Sequence, residues 1–225
     1  LHHASRYFPA VGIVIGAIAA AVYALAAWSL PHVVAVLLST IAAIYVTGAF
    51  HEDGFADTCD GLGGGTTRQR VLEIMSDSRI GAYGAIGIGL LLALKCVVLT
   101  CVPPQLVAAA LLAGHPLSRL AATALIWQLD YVKAEGKAKP LAQKMSGAEF
   151  LVASLTAVLP IALLVFADWI SWQAIAAGVA AVILSALWLA RKFVQRIGGY
   201  TGDCLGAVQQ FTEVAFYLAL LASVG

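Results

Sequence analysis

Apolar residues fill the chain in long runs, and short polar stretches separate these runs. Each run is close to the 20 residues that a helix needs to cross a hydrocarbon core of about 30 Å. Such runs predict transmembrane helices, because a helix satisfies its own backbone hydrogen bonds within the membrane. Seven segments are predicted to span: 8–29, 32–50, 82–101, 105–128, 149–167, 169–191 and 205–224. The predicted fold is all-α, a polytopic membrane helical bundle of about seven transmembrane helices that forms one domain over residues 1–225.

The composition is that of an integral membrane protein. Of the 225 residues, 61% are hydrophobic and only 11% are charged, whereas a soluble domain carries about a quarter charged residues. Membrane lipid is therefore the expected surrounding of the helices, and a homo-oligomer is compatible with the sequence. The net charge of +1 offers no basic footprint for nucleic acid, which is not expected as a partner. The chain begins with Leu1 rather than Met, so we expect some N-terminal sequence to be missing.

Basic residues are confined to alternate connections between the predicted spans. The connections 51–81, 129–148 and 192–204 contain Lys or Arg, and Arg6 precedes the first span. The connections near 30–32, 102–104 and 168 contain neither. Because Lys and Arg are enriched in cytoplasmic loops, we expect the basic connections and the N-terminus in the cytoplasm and the C-terminus outside.

An acidic motif occupies residues 51–61, His-Glu-Asp-Gly-Phe-Ala-Asp-Thr-Cys-Asp-Gly. Asp53, Asp57 and Asp60 are spaced i, i+4, i+7, which places the three carboxylates on one face of a helix. Hard oxygen ligands without a Cys/His set favour Mg²⁺, with Mn²⁺ as the alternative, over zinc. With Asp77 as a fourth ligand, the set predicts a site for two divalent ions that promotes phosphoryl transfer. The other interpretation is a solvated acidic helix face.

Further polar residues are candidates for catalysis or substrate binding. His51 is a candidate general base, or a hydrogen-bonding residue at a helix end. Ser78 and Arg79 follow Asp77 directly, and a fixed cation beside a metal ligand suits a pyrophosphate substrate. Asp203, at the start of the last span, either caps that helix or contacts substrate.

Charged residues within the predicted spans are costly and therefore informative. Lys95 and Arg119 lie in the third and fourth spans, which contain no acid to pair with them. We expect both to bind an anion such as a phosphate, with snorkelling as the alternative. His115 is expected to be a hydrogen-bonded structural residue, and Glu213 is expected to face the bundle interior.

At these motifs the chain resembles the cobalamin synthase family, the adenosylcobinamide-GDP ribazoletransferases. The resemblance covers residues 51–61 and extends to Leu-Glu-Ile-Met-Ser-Asp-Ser-Arg-Ile-Gly at 72–81 and Phe-Pro-Ala-Val-Gly-Ile-Val-Ile-Gly at 8–16. Ser118-Arg119 and Thr-Gly-Asp-Cys-Leu-Gly-Ala at 201–207 also belong to it. It implies a membrane enzyme that needs a divalent metal, usually Mg²⁺, with the Asp53 motif as its catalytic core.

The resemblance also implies the substrates. The ribose hydroxyl of α-ribazole, or of its 5′-phosphate, attacks adenosylcobinamide-GDP at the phosphate next to cobinamide. GMP leaves, and adenosylcobalamin or its 5′-phosphate forms. The implied location is the cytoplasmic (inner) membrane, with the active site facing the cytoplasm.

Three other classes fit the sequence less well. A CDP-alcohol phosphotransferase carries an Asp-Gly-xx-Ala-Arg signature, but here Asp57 follows Ala56, and the downstream Gly-xxx-Asp-xxx-Asp is absent. A membrane prenyltransferase needs a second Asp-rich motif, and residues 198–206 offer only Asp203. A transporter would carry its acids at mid-membrane on broken helices, whereas these acids cluster in one connection.

Overall fold

The computed structural model describes residues 3–133 and 144–224. Within these ranges the secondary structure is helical, apart from a single β-bridge between Tyr131 and Tyr200. A short 3₁₀ helix at Ala4–Tyr7 precedes the first α-helix. The α-helices are α1 (Phe8–Ala27), α2 (His32–Thr47), α3 (Phe50–Gly64), α4 (Arg68–Ile74), α5 (Ala82–Cys101), α6 (Pro104–Gln128), α7 (Gly147–Phe166), α8 (Trp172–Ile197) and α9 (Gly202–Val224). The predicted all-α membrane bundle is confirmed.

Six of the described helices are long and apolar enough to cross a membrane: α1, with the 3₁₀ turn before it, and α5, α6, α7, α8 and α9. The second predicted span, 32–50, differs from the structure. Helix α2 ends at Thr47 after 16 residues, about 24 Å of helix at 1.5 Å per residue, and α3 turns away from it by 88°. The described helices therefore provide six candidate membrane spans, or seven if α2 and α3 together form one bent span.

The bend between α2 and α3 is made by two residues in the left-handed region. Gly48 has φ 64° and Ala49 has φ 57°, and glycine adopts this conformation without the steric cost that a Cβ brings. The N–H of Ala49 donates to the carbonyl of Ile44 at 3.0 Å, which closes the end of α2. The chain therefore enters α3 as a new helix.

Helices α6 and α9 form the buried centre of the bundle. The outward sides of α5, α7 and α8 carry exposed Leu, Ile, Val and Trp side chains, as expected for lipid-facing surfaces. Helix α1 packs closely on α6 through Gly12, where an added Cβ would lie 2.7 Å from the carbonyl oxygen of His115. Small residues at such positions let membrane helices approach each other.

The segments on one side of the bundle meet around α3. Arg196, near the end of α8, donates to the carbonyl oxygen of Gly65 just after α3, at 2.5 Å. Lys133, after α6, contacts Asp203 at the start of α9. Basic residues predicted to share one side of the membrane therefore lie beside the acidic motif.

Candidate functional site

The acidic motif forms α3, as its spacing predicts, but its three aspartates have different surroundings. Asp53 is exposed, Asp57 is half-buried and Asp60 is buried. The three carboxylates thus share one face of α3, as their spacing predicts, and they differ in burial.

Helix α3 crosses α9 at two glycines, and the close crossing brings a further acid to the motif. A Cβ at Gly54 would lie 2.9 Å from the carbonyl oxygen of Asp203, and one at Gly206 would lie 2.9 Å from that of His51. The charges of Asp53 and Asp203, and to a smaller extent that of Asp60, repel the charge of Asp57. We call Asp53, Asp57 and Asp203 the acidic cluster.

Lys133 is a cation that contacts the acidic cluster and that the sequence did not single out. Its Nζ lies 2.9 Å from Oδ2 of Asp203. In the sequence it is one of several lysines in the connection 129–148. Asp203 does not cap α9 by its side chain, since the Cys204 N–H donates to Oγ1 of Thr201 at 3.4 Å. Thr201, rather than Asp203, therefore caps α9.

The donor chemistry of the acidic cluster fits Mg²⁺, although the predicted four-carboxylate set is not assembled. No group of three or more His, Cys, Asp or Glu side chains within residues 3–133 and 144–224 is placed to hold a metal ion by itself. Asp53 and Asp57 supply hard oxygen donors whose repulsion a divalent cation would relieve. Substrate phosphate oxygens and water would complete the coordination, as is usual for Mg²⁺.

Asp60 makes two backbone contacts that the sequence did not predict, and its role as a metal ligand stays a prediction. Its Oδ2 accepts the N–H of Gly81 at 2.7 Å and its Oδ1 accepts the N–H of Gly84 at 2.8 Å. Gly81 immediately precedes α5 and Gly84 lies in its first turn, so neither N–H has a partner within the helix. A negative charge is also favoured at this end by the helix dipole. A Cβ at Gly84 would lie 2.3 Å from Oδ2, so glycine permits the approach. Asp60 is the cap of α5.

Asp77 is engaged by its neighbour Arg79. The guanidinium donates to Oδ1 at 3.0 Å and to Oδ2 at 2.7 Å, and the Arg79 backbone N–H also donates to Oδ1. These hydrogen bonds lower the pKa of Asp77 to about 2. Arg79 is exposed, Ser78 beside it is exposed, and Asp77 and Asp60 share a surface depression of about 560 Å³. The metal and substrate roles of Asp77, Ser78 and Arg79 stay predictions.

Lys95 has an acid partner, contrary to the sequence expectation. Its Nζ lies 2.6 Å from Oε1 of Glu213 on α9, and both residues are buried, at 2% and 0% exposure. The expectation that Glu213 faces the bundle interior is confirmed. Because a neighbouring span satisfies the Lys95 ammonium, the reason for assigning it to a substrate anion no longer holds.

Glu213 is the centre of a buried polar network. It accepts hydrogen bonds from Gln209 at 2.6 Å and from the Tyr217 hydroxyl at 3.1 Å, and His115 Nδ1 lies 3.3 Å from its Oε2. His115 is therefore a hydrogen-bonded residue of the interior, as expected. Its Nδ1 also lies 3.3 Å from Nη1 of Arg119. This one nitrogen either donates to Glu213 or accepts from Arg119, according to the tautomer.

Arg119 has no carboxylate within salt-bridge distance among the described residues. Its Nη1 donates to the His115 carbonyl at 3.1 Å, and its other nitrogens make no hydrogen bond within residues 3–133 and 144–224. Arg119 lines a cavity of about 360 Å³ between α1, α3, α6 and α9, so an anion in this cavity would meet it. His51 lines the same cavity. Its ring stacks edge-to-face on Phe50, with centroids 5.7 Å apart.

Sequence reasoning missed several polar members of the interior. Gln209 bridges Ser118 and Glu213, and Gln210 donates to Glu52 at 2.8 Å. Two adjacent glutamines inside an apolar span are costly in a membrane. This cost could have identified them as interior hydrogen-bonding residues from the sequence.

Relatives of known name cover nearly the whole chain. The model of the cobalamin-5-phosphate synthase family matches residues 1–221. The adenosylcobinamide-GDP ribazoletransferase of Ralstonia pickettii (strain 12J) is 46% identical over 225 residues, which cover 99% of this chain and 86% of the relative. The ribazoletransferase of Shewanella frigidimarina (strain NCIMB 400) is 46% identical over 235 residues, covering 99% and 85%. That of Vibrio cholerae serotype O1 (strain N16961) is 45% identical over 226 residues, covering 99% and 84%. No solved structure matches the chain. The protein therefore belongs to the cobalamin-5-phosphate synthase family.

Proposed function

We propose that the protein is a Mg²⁺-dependent transferase that joins α-ribazole, or its 5′-phosphate, to adenosylcobinamide-GDP. The names of its relatives support this reaction. The observation that carries it is the acidic cluster of Asp53, Asp57 and Asp203, which shares α3 and α9 with a cavity that contains Arg119. Carboxylates for a metal-bound pyrophosphate thus adjoin a cavity for a second substrate.

The proposed reaction is one displacement at phosphorus. The ribose hydroxyl oxygen of α-ribazole forms a bond to the phosphorus next to cobinamide, and the bond from that phosphorus to the oxygen bridging to GMP breaks. GMP leaves with the bridging oxygen, and the hydroxyl proton passes to a base. His51 is the candidate base, since its imidazole lines the cavity two residues before Asp53.

The chain's own residues hold and orient the reacting groups in this proposal. Asp53 and Asp57 would hold Mg²⁺, or Mn²⁺ in its place, and the ion when bound would neutralise charge on the transferring phosphate. Lys133, close to Asp203, limits the repulsion within the acidic cluster. Arg79 is exposed and paired with Asp77, so the pair would present its guanidinium to a pyrophosphate beside that carboxylate.

The proposed location is the cytoplasmic membrane, with the acidic cluster on the cytoplasmic side. The Lys and Arg distribution supports this orientation. The contacts of Lys133 and Arg196 with the neighbourhood of α3 support it too, because they gather the basic connections around the acidic motif. The exposed apolar sides of the outer helices supply the lipid contacts.

The test is release of GMP by purified protein in detergent or liposomes. With Mg²⁺ and adenosylcobinamide-GDP, GMP is expected only when α-ribazole or its 5′-phosphate is added. Chelation of Mg²⁺ should stop the release, and addition of Mg²⁺ or Mn²⁺ should restore it. The absence of acceptor-dependent GMP release, together with release of CMP from a CDP-alcohol, would overturn the proposal in favour of a CDP-alcohol phosphotransferase.

A further inference from the structure

The cavity between α1, α3, α6 and α9 has walls made mainly of carbon. At about 360 Å³ it lies near the lower end of the volumes of small-molecule sites. Its apolar wall comes from Phe8 and Val11 on α1, Phe50 on α3, Ala122 on α6 and Leu205 on α9. Gly202 and Gly206 complete that wall. A ligand that fills it must therefore present a largely apolar surface.

Three polar side chains line the same cavity. Arg119 is only 4% exposed and lacks a carboxylate partner among the described residues. Gln209 is anchored by its hydrogen bonds to Ser118 and Glu213, and His51 makes no side-chain hydrogen bond within the described ranges. A few fixed polar groups in an apolar site orient a ligand that is apolar at one end and polar at the other.

We propose that this cavity binds the benzimidazole base of α-ribazole, with the ribosyl group directed toward Arg119, His51 and Gln209. The proposal rests on the proposed function. The base of α-ribazole is a flat bicyclic aromatic ring with two methyl groups. Once it is joined to ribose it has no N–H or carbonyl group, and one ring nitrogen remains as a hydrogen-bond acceptor. Its surface matches the walls formed by Phe8 and Leu205.

The other parts of the substrates match this cavity less well. Guanine carries a carbonyl, an amide N–H and an amino group, and burying these against carbon without partners is costly. A corrinoid ring is far larger than 360 Å³. The position of the cavity also suits the acceptor, because His51 and Asp53 lie on the same helix, and Gly202, which lines the cavity, is next to Asp203.

The test uses a variant with a narrower cavity and asks whether the rise in KM for the riboside depends on the size of its base. Ala122→Leu adds a side chain at a cavity position that is 4% exposed. GMP release is measured with α-ribazole and with the benzimidazole riboside that lacks the two methyl groups. We expect the KM for α-ribazole to rise on the order of 10-fold relative to the smaller riboside. The KM for adenosylcobinamide-GDP should stay unchanged.

A second variant and a control keep the test decisive if Ala122→Leu folds poorly. Leu205→Ala enlarges the cavity and should shift preference toward a riboside of the larger naphthimidazole base. Ala109→Leu overpacks α6 at a buried position outside the cavity, so it should leave the preference between bases unchanged. The proposal would be overturned if both cavity variants kept the wild-type preference among the ribosides. It would also be overturned if only the KM for adenosylcobinamide-GDP changed. The proposed function itself fails only if wild-type protein releases no GMP.

Discussion

Glu213→Gln is predicted to destabilise the bundle strongly, because it leaves a buried lysine without its counter-charge. Lys95 and Glu213 are 2% and 0% exposed, and their charged atoms are 2.6 Å apart. Glutamine preserves the shape of the side chain, so the change removes mainly the charge. Removing one member of a buried ion pair costs about 3–5 kcal/mol, since the other charge stays buried. We expect a loss of this size in the free energy of unfolding.

The partner substitution gives this prediction its internal test. Lys95→Met should cost less than Glu213→Gln, because Glu213 keeps the hydrogen bonds from Gln209 and Tyr217 and its contact with His115. The double variant should be more stable than Glu213→Gln alone, with a coupling energy of at least about 1 kcal/mol. The measurement is unfolding of the purified protein by SDS in mixed micelles, followed by circular dichroism.

The exposed pair Arg70 and Glu73 is the matched control. Its charged atoms are 3.2 Å apart, and the side chains are 61% and 50% exposed. The same substitutions, Arg70→Met and Glu73→Gln, should couple by no more than about 0.5 kcal/mol. If the losses from Lys95→Met and Glu213→Gln simply add in the double variant, the two charges do not stabilise each other and the reasoning is refuted.

Three further predictions concern α3 and its surroundings. Asp60→Ala should lower the free energy of unfolding by about 1–2 kcal/mol, because α5 loses two N-terminal hydrogen bonds and a favourable charge; unchanged stability would exclude the capping role. Gly84→Ala should cost about 1–3 kcal/mol, since its Cβ would lie 2.3 Å from Asp60 Oδ2. Gly89→Ala on the same helix meets nothing within 4 Å and should be neutral or stabilising by up to about 1 kcal/mol; equal losses at both glycines would contradict the packing. Asp53→Asn and Asp57→Asn should each reduce GMP release at least about 100-fold without lowering the stability in SDS, because the metal ion that holds the phosphate loses a carboxylate ligand. Substantial turnover in either variant would remove that residue from the metal site.

Local patterns in the sequence predicted most of the helical architecture. Apolar length identified the spans because the hydrocarbon core imposes that length. The spacing of Asp53, Asp57 and Asp60 places their carboxylates on one face if the motif is helical, and α3 shows that it is. The end of α2 was missed, because the apolar run continues through the bend and only Gly48 marks it.

Contacts between distant segments were beyond the reach of those patterns. The contacts of Asp60 with the N–H groups of Gly81 and Gly84 could not be predicted, because these groups come from another segment of the chain. Lys95 looked unpaired because its acid lies on the last span. Spacing along one helix reports which side chains share a face, but the helix that packs against that face is set by the tertiary fold.

The fate of the two phosphorus atoms of adenosylcobinamide-GDP tests the proposed reaction most directly. The substrate is prepared with a radioactive label either on the phosphorus next to cobinamide or on the phosphorus next to guanosine. With α-ribazole and Mg²⁺, the first label is predicted to appear only in the cobalamin product and the second only in GMP. Appearance of the first label in GDP, or of either label in free phosphate, would contradict attack at the phosphorus next to cobinamide.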